Sequence, residues 1–197
     1  YRFLDLAASQ FAETVSFSAI ARECHLPIRT VQTYYEILED TLVGLRLSPW
    51  RKSLRKRLVG HPKFYLFDCG VTNAINKRLT GGLDPALKGK LFEQWLVLET
   101  YRLLHYRQSE ASLYFWKTNH GAEVDLLIEK HGKPLAAFEF KCTAAIGGPH
   151  FSGIRAFLEE HPAVPCAVVC TAAHPYQTNG VKILPWQDYL ERLERLL

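Results

Sequence analysis

The sequence has no methionine, no long apolar run and no signal-peptide pattern. Its 197 residues begin with tyrosine and contain no Met at all, which predicts that the chain is a piece of a longer protein. No segment approaches the roughly 20 consecutive apolar residues that a transmembrane helix needs. The signal-peptide pattern, a positively charged segment followed by an apolar segment, is also missing before the first predicted helix. We therefore expect no membrane partner.

Cysteine is too sparse and too scattered to form a disulfide framework. The five cysteines, at positions 24, 69, 142, 166 and 170, are odd in number and share no spacing. Disulfide-rich domains belong to oxidising compartments, so we expect a reducing location, the cytoplasm. Cys166 and Cys170 lie in "VPCAVVCTA", which predicts a strand. Four residues along a strand separate the two thiols by roughly 13 Å, too far to share a zinc ion.

Acidic residues are absent between Thr41 and Phe67. The cations in this window are Arg46, Arg51, Lys52, Arg55, Lys56, Arg57 and Lys63. Since the net charge of the whole chain is only +4, positive charge is concentrated here. A patch of this kind favours a polyanionic partner such as nucleic acid, most simply DNA. A solvated positive face without a partner is the alternative.

The first third of the chain has the pattern of three short helices. "RFLDLAAS" and "SFSAIAREC" are amphipathic, with Ser16 as a candidate N-cap, and "IRTVQTYYEILED" carries apolar residues at helical spacing. The turn "HLP" joins the last two helices, which predicts a helix-turn-helix. Strand patterns in "LVGLRLSPW" and "KFYLFD" complete a winged helix-turn-helix domain, which we place at residues 1–67.

The polar residues that open the third helix are suited to contact nucleic acid. They are Arg29, Thr30, Gln32 and Thr33. Recognition helices place such side chains against phosphates and base edges. Together with the cations at positions 51, 52, 55, 56 and 57 they form our candidate nucleic-acid-binding set. A winged helix used only for protein contacts or domain packing is the alternative.

Residues 68–197 have the pattern of a mixed α/β domain. "GVTNAINKRL" predicts a helix, and a long helix, apolar over much of its circumference, runs from Pro85 to about His105 with Asp84 as its N-cap. Then come the strands "SLYFWKT", "AEVDLLIE" and "KPLAAFEFK", a helix, the strands "AVPCAVVCT" and "VKILP", and the terminal helix "WQDYLERLERLL". This order predicts a mixed sheet with helices on both sides.

Two carboxylates and a lysine meet if the second and third strands of this domain form a hairpin. Glu139 and Lys141 lie on one face of "FEFKC", and Asp125 lies in the middle of "AEVDLLIE". The hairpin would place Asp125 beside Glu139. Adjacent carboxylates repel unless a cation lies between them, and a hard divalent ion such as Mg²⁺ takes oxygen ligands.

We therefore predict a Mg²⁺ or Mn²⁺ site with Asp125, Glu139 and the backbone carbonyl of Phe140 as ligands. Lys141 would orient a water molecule or stabilise charge on a phosphate. Glu93, on the preceding buried helix, would bind the metal through water or position the lysine. These four side chains are the candidate catalytic residues of a metal-assisted phosphodiester hydrolysis. An ordinary ion-pair network on a partly exposed face of the sheet is the alternative.

"EVDLLI" and "FEFK" after "LFEQWLV" resemble the PD-(D/E)xK nuclease superfamily, the restriction-endonuclease-like fold also seen in archaeal Holliday-junction resolvases. The resemblance implies that Glu93 is the acid of the helix, that Asp125 is the metal-binding aspartate, and that Glu139 and Lys141 are the (D/E)xK pair. The chain departs from the restriction-enzyme pattern because no Pro-Asp precedes Asp125.

More specifically, the chain resembles the C-terminal region of bacterial and archaeal AAA-type ATPases that carry domain of unknown function 4143. The matching stretches are "TVQTYYEILEDTLVGLRLSPW", "PKFYLFDCGVTNAI", "GKLFEQWLVLE", "YFWKTNHGAEVDLLIE" and "FEFKC". The resemblance implies an ATPase domain N-terminal to this chain as a partner. ATP belongs to that part alone, because this sequence has no G-x-x-x-x-G-K-[ST] motif.

Fold analogy does not establish an activity, so three hypotheses stay open. The first is a metal-dependent endonuclease attached to an ATPase. The second is a catalytically inactive nuclease-like fold that serves as a DNA-binding or regulatory platform for the ATPase. The third is a protein-interaction module without a nucleic-acid role.

Overall fold

The computed structural model describes residues 2–50 and 60–196. Five candidate nucleic-acid-binding residues lie outside the described residues: Arg51, Lys52, Arg55, Lys56 and Arg57. In the described part, the chain forms a mixed α/β structure in which helices pack against an eight-stranded sheet.

The N-terminal part comprises α1 (Arg2–Ser9), α2 (Phe17–Cys24), α3 (Ile28–Asp40), β1 (Gly44–Pro49) and β2 (Lys63–Leu66). It is followed by α4 (Cys69–Ile75) and α5 (Pro85–Tyr106). The remaining elements are β3 (Ser112–Lys117), β4 (Glu123–Lys130), β5 (Lys133–Lys141), a 3-10 turn (Gly148–Phe151), α6 (Ser152–Glu160), β6 (Cys166–Cys170), β7 (Tyr176–Thr178), β8 (Val181–Pro185) and α7 (Trp186–Leu196).

Side-chain caps fix the starts of several helices. The hydroxyl of Ser16 accepts a hydrogen bond from the backbone N–H of Ala19 at 3.3 Å and caps α2. The carboxylate of Asp84 accepts one from the N–H of Leu87 at 2.8 Å and caps α5. Each cap satisfies one of the backbone donors that a helix N-terminus leaves unpaired. Both predicted caps are confirmed.

The sheet has the strand order β2-β1-β3-β4-β5-β6-β8-β7. Strand β1 is antiparallel to β2 and parallel to β3, so the two strands assigned to the winged helix continue the sheet of the downstream part. The division at residue 67 stays a prediction. Strand β7 was not predicted; it is a three-residue edge strand paired with β8.

Helices cover both faces of the sheet, as predicted. Helices α5 and α7 pack on one face, where Leu96 and Tyr189 are buried against strand residues such as Leu126. Helix α6 covers the other face through residues such as Phe157. Each fully buried large apolar side chain contributes roughly 1.5–3 kcal/mol. No helix within the described ranges combines the length and the apolar character needed to cross a membrane.

Strand β2 lies between the N-terminal helices and α5. Its residues Phe64 and Leu66 belong to the core formed with α1, α2 and α3. Because side chains alternate along a strand, Lys63 and Tyr65 point the opposite way, and Tyr65 packs in the core beneath α5. The geometry therefore carries the ammonium group of Lys63 into the protein.

Candidate functional site

Four charged residues occupy strand ends that lie along one edge of the sheet. Lys63 opens β2, Lys117 closes β3, Glu123 opens β4 and Lys141 closes β5. Strand β4 is antiparallel to β3 and β5, and β2 is antiparallel to β1, which is parallel to β3. The starts of β2 and β4 and the ends of β3 and β5 therefore lie along the same edge. Strand direction thus brings together charges that are far apart in the sequence.

The predicted hairpin between β4 and β5 is confirmed. Leu126 is paired with Phe138, so the register continues with Asp125 opposite Glu139. The two carboxylate residues are 7% and 6% exposed, respectively. The backbone N–H of Phe140 donates a hydrogen bond to Oδ2 of Asp125 at 2.8 Å. The prediction that these two carboxylates lie side by side is therefore correct.

Glu139 has one paired and one unpaired carboxylate oxygen. Nζ of Lys141 lies 2.8 Å from Oε1, whereas Oε2 is buried and has no hydrogen-bond partner among the described residues. Burial, followed by the charge of Asp125, raises the pKa of Glu139 to about 7, although Lys141 opposes the shift. The unpaired oxygen is a place for a proton or a cation.

Helix α6 reaches the two carboxylate-bearing strands at Gly153. A Cβ atom at this position would lie 1.7 Å from the backbone oxygen of Glu123 and 2.6 Å from Oε2 of Glu139. Real Cβ atoms do not approach backbone atoms so closely, so α6 can pack here because residue 153 is glycine. This contact closes one side of the acidic centre.

Lys63 lies among three carboxylates, although its position in an acid-free stretch of the sequence predicts a place in a basic surface patch. Its Nζ is 2.7 Å from Oε1 of Glu93, 2.5 Å from Oε1 of Glu123 and 3.9 Å from Oδ1 of Asp125. The residue is 2% exposed, so it is not part of a solvated surface. Burial lowers the pKa of Lys63, but the carboxylates, Glu93 first, outweigh it and hold that pKa well above its usual value.

The carboxylate of Glu93 is fixed by Lys63 and Tyr65. The Tyr65 hydroxyl donates a hydrogen bond to Oε1 of Glu93 at 2.7 Å. The next residue on α5, Gln94, is buried and donates from Nε2 to the carbonyl oxygen of Leu66 at 2.8 Å, which attaches α5 to β2. Burial, with a further contribution from Asp125, raises the pKa of Glu93 to about 7.

The charges of this acidic centre nearly balance. Its carboxylates are Glu93, Glu123, Asp125 and Glu139, and its ammonium groups are Lys63, Lys117 and Lys141. Four negative against three positive charges leave a net charge of −1 when all are ionised. Nζ of Lys117, whose side chain is exposed to solvent, lies 2.6 Å from Oε2 of Glu123. One further proton would therefore bring the net charge of the centre to zero, and one divalent cation would bring it to +1.

The structure brings together the two carboxylates of the predicted ligand set, and the Mg²⁺ or Mn²⁺ site itself stays a prediction. Such ions are bound through one or two carboxylates and keep several water molecules; the carboxylates here are Asp125 and Glu139, whose Oε2 is unpaired among the described residues, and Phe140 contacts Asp125 through its N–H. In the part of the chain that the structure describes, no three His, Cys, Asp or Glu side chains converge as ligands. Lys63 holds Glu93 and Glu123 instead.

Helix α3 exposes three of the four predicted DNA-contacting residues that it carries. Arg29, Gln32 and Thr33 are exposed, whereas Thr30 is half-buried. The C-terminal half of the helix is acidic, and Glu39 there pairs with Arg46 at 2.9 Å, so Arg46 is already neutralised. Positive charge on the exposed face of α3 is confined to its first turn.

Two family models match the sequence. One, described as "Domain of unknown function (DUF4143)", matches residues 88–189, which include Glu93, Asp125, Glu139 and Lys141. The other, "Domain of unknown function (DUF8612)", matches residues 1–81, which include Lys63. The acidic centre therefore takes residues from both matched regions.

Two curated relatives are uncharacterized mycobacterial proteins. Mb2031c of Mycobacterium bovis and Rv2008c of Mycobacterium tuberculosis are each 29% identical to this chain over 182 residues, which is 90% of the chain. The chain spans 39% of the length of each relative. No solved structure matches the chain. Since the first family model covers more than half of its residues, the chain belongs to the family of domain of unknown function DUF4143.

Proposed function

We propose that this chain is the nucleic-acid-binding, nuclease-like module of an AAA-type ATPase and that it hydrolyses DNA phosphodiester bonds with a Mg²⁺ or Mn²⁺ ion. The observation that carries the proposal is the buried pair Asp125 and Glu139. Oε2 of Glu139 has no partner among the described residues, and Lys141 contacts the other oxygen. The proposal includes a winged helix built from α1–α3, β1 and β2, and a restriction-endonuclease-like arrangement of the remaining sheet.

Each residue of the site has a distinct part in this reaction. Asp125, Glu139 and the carbonyl of Phe140 would hold the ion, which supplies Lewis-acid chemistry and lowers the pKa of bound water. Lys141, whose side chain is 29% exposed, reaches the solvent and would hold a water molecule or a phosphate oxygen by charge-assisted hydrogen bonds. Glu93 would act indirectly, by fixing Lys63.

The DNA contact would begin at the first turn of α3. Arg29, Gln32 and Thr33 are exposed there and offer a guanidinium, an amide and a hydroxyl group to phosphates and base edges. Phosphate contacts of this kind release counterions, so binding should weaken steeply as salt is added.

A second candidate function, a non-catalytic DNA-binding or regulatory platform, is favoured by the position of Lys63. Its ammonium group already lies within 2.5–3.9 Å of three carboxylates. Because lysine residues of the chain itself offset most of the carboxylate charge, the centre needs no metal ion to fold. Ionic networks with a purely structural role are of this kind.

Cleavage of DNA by the purified protein tests the proposal. Branched and linear DNAs are incubated with Mn²⁺ or with EDTA, and the proteins are wild type, Asp125→Ala, Lys141→Ala and, as a control, Lys133→Ala at the exposed far end of the hairpin. We expect metal-dependent cleavage that the first two substitutions abolish and the control retains. Cleavage unchanged by Asp125→Ala and Lys141→Ala would contradict the assignment. Absence of cleavage together with DNA binding supports the platform.

A further inference from the structure

We propose that Lys63 is a built-in counter-ion that sets the divalent-cation affinity of the acidic centre by competing with the ion for carboxylate charge. The inference rests on the metal site of the proposed function and adds a residue that neither the ligand set nor the nuclease motif contains. It predicts that removal of Lys63 tightens metal binding, whereas removal of a true site residue weakens it.

The first step of the argument is the charge balance. With Lys63 the centre carries four carboxylates and three ammonium groups, a net charge of −1. Without Lys63 the net charge becomes −2, which a single divalent ion neutralises. Because attraction between charges in a partly buried site is much stronger than in water, one unit of charge beside Asp125 changes ion affinity markedly.

The second step is the separate observation that a buried oxygen is available to an ion. Glu139 is 6% exposed, and its Oε2 has no hydrogen-bond partner among the described residues. Asp125, its neighbour across the hairpin, is 3.9 Å from the ammonium group of Lys63. An ion bound between these two carboxylates would therefore lie close to a fixed positive charge.

The third step is that Lys63 is held in place. Its backbone forms an isolated β-bridge with Thr14, and the N–H of Val15 donates to the carbonyl oxygen of Pro62 at 2.7 Å. Nζ also lies 5.6 Å from the centroid of the Phe115 ring. With the residue 2% exposed, the ammonium group is shielded from solvent and stays beside the carboxylates in this conformation. The two charges must coexist, and that lowers ion affinity.

Lys117 provides a matched control. It also carries one positive charge and also pairs with Glu123, at 2.6 Å. Its side chain is 39% exposed, so solvent screens it, and its described ion pair is with Glu123 alone. Lys63→Met and Lys117→Met therefore change the formal charge equally and differ in burial and in proximity to Asp125.

Calorimetric titration of the metal-free protein with MnCl₂, supported by the electron paramagnetic resonance signal of free Mn²⁺, measures the inference directly. We expect Lys63→Met to bind Mn²⁺ at least about tenfold more tightly than wild type, and Lys117→Met to differ from wild type by less than about threefold. Equal affinities of Lys63→Met and wild type would overturn the inference while leaving the metal site in place.

A second variant covers the case in which Lys63→Met does not fold. Lys63→Met combined with Glu123→Gln removes one carboxylate with the lysine and restores the net charge of −1, so it leaves less unpaired buried charge. We expect this variant to bind Mn²⁺ more tightly than Glu123→Gln alone, because the two proteins differ only in the charge of Lys63 beside Asp125; an unchanged or weaker affinity in this comparison overturns the inference.

The outcomes separate this inference from the proposed function. If neither wild type nor either Lys63 variant binds Mn²⁺ at millimolar concentration, the metal site fails and the inference fails with it. If the Lys63 variants bind more tightly but no protein cleaves DNA, the inference stands and the catalytic function fails.

Discussion

Nζ of Lys63 and Oε1 of Glu93 lie 2.7 Å apart, although 30 residues separate them in the chain and they belong to β2 and α5. This pair joins the two regions that different family models match. Buried ion pairs are costly to break from one side, because the remaining charge has no solvent to stabilise it. The stability of the whole chain should therefore depend on this contact.

Replacement of Lys63 by methionine should destabilise the metal-free protein by about 3–5 kcal/mol, because Glu93 loses its ammonium partner inside the protein and Glu123 keeps only the exposed Lys117. Urea unfolding measured with EDTA at neutral pH gives the free energy. The control Lys117→Met, at an exposed pair, should cost less than about 1 kcal/mol. Equal losses for the two variants would show that the burial of Lys63 has no energetic consequence.

The stability contribution of Glu139 should fall as pH rises. The folded protein holds the pKa of this residue at about 7, above its usual value of 4.5, so the folded state binds the proton more tightly than the unfolded state. Its stabilising contribution is complete below pH 4.5 and is lost as pH rises to about 7.

Glu139→Gln removes this titration. The free energy of unfolding of the variant, measured in EDTA relative to that of wild type, should rise by about 1–3 kcal/mol as the pH increases from 4.5 to 8. Glu110→Gln, at a side chain that is 71% exposed, serves as the control and should parallel wild type. A stability difference between Glu139→Gln and wild type that does not change with pH would contradict the raised pKa.

Gly153→Ala should destabilise the protein, because the added methyl group meets the backbone oxygen of Glu123 at 1.7 Å. We expect a loss of about 1–3 kcal/mol, typical of overpacking, measured by urea unfolding. Gly89→Ala is the matched control, since no atom lies within 4 Å of a Cβ there, and it should be neutral or stabilise by up to about 1 kcal/mol. If the two variants are equally stable, α6 does not pack as closely as described.

Arg29→Ala should weaken DNA binding and reduce its salt dependence. Loss of one phosphate contact lowers the slope of log affinity against log salt by about 1. Fluorescence anisotropy with a labelled duplex at several salt concentrations measures both quantities. Lys133→Ala, at the exposed far end of the β4–β5 hairpin, should leave them unchanged. An unaltered slope for Arg29→Ala would exclude Arg29 from the phosphate contacts.

Local sequence patterns predicted the parts of the structure that local interactions determine. Alternation and a short hairpin placed Asp125 beside Glu139, and capping chemistry placed the starts of α2 and α5 at Ser16 and Asp84. The three-residue strand β7 was missed because it is too short for an alternation signal and forms by pairing with β8.

The environment of Lys63 depends on contacts that no local pattern encodes. Its partners are contributed by α5 and β4, and they meet because β1 pairs with β3 in parallel. One signal was available: in "KFYL" the lysine shares a face with tyrosine, while Phe64 and Leu66 occupy the other. A strand with both faces apolar or aromatic is buried on both sides, which argues against an exposed lysine.

The ion pairs of Lys63 with Glu93, Glu123 and Asp125 also limit how relatives of this chain can be recombined. A chimera that joins the first 67 residues of one relative to the remainder of another exchanges Lys63 and Tyr65 independently of Glu93, Glu123 and Asp125. Such hybrids should fold when donor and recipient carry complementary charges at these positions and fail when they do not. The first 67 residues and the remainder of the chain can therefore be exchanged only together with partners of complementary charge.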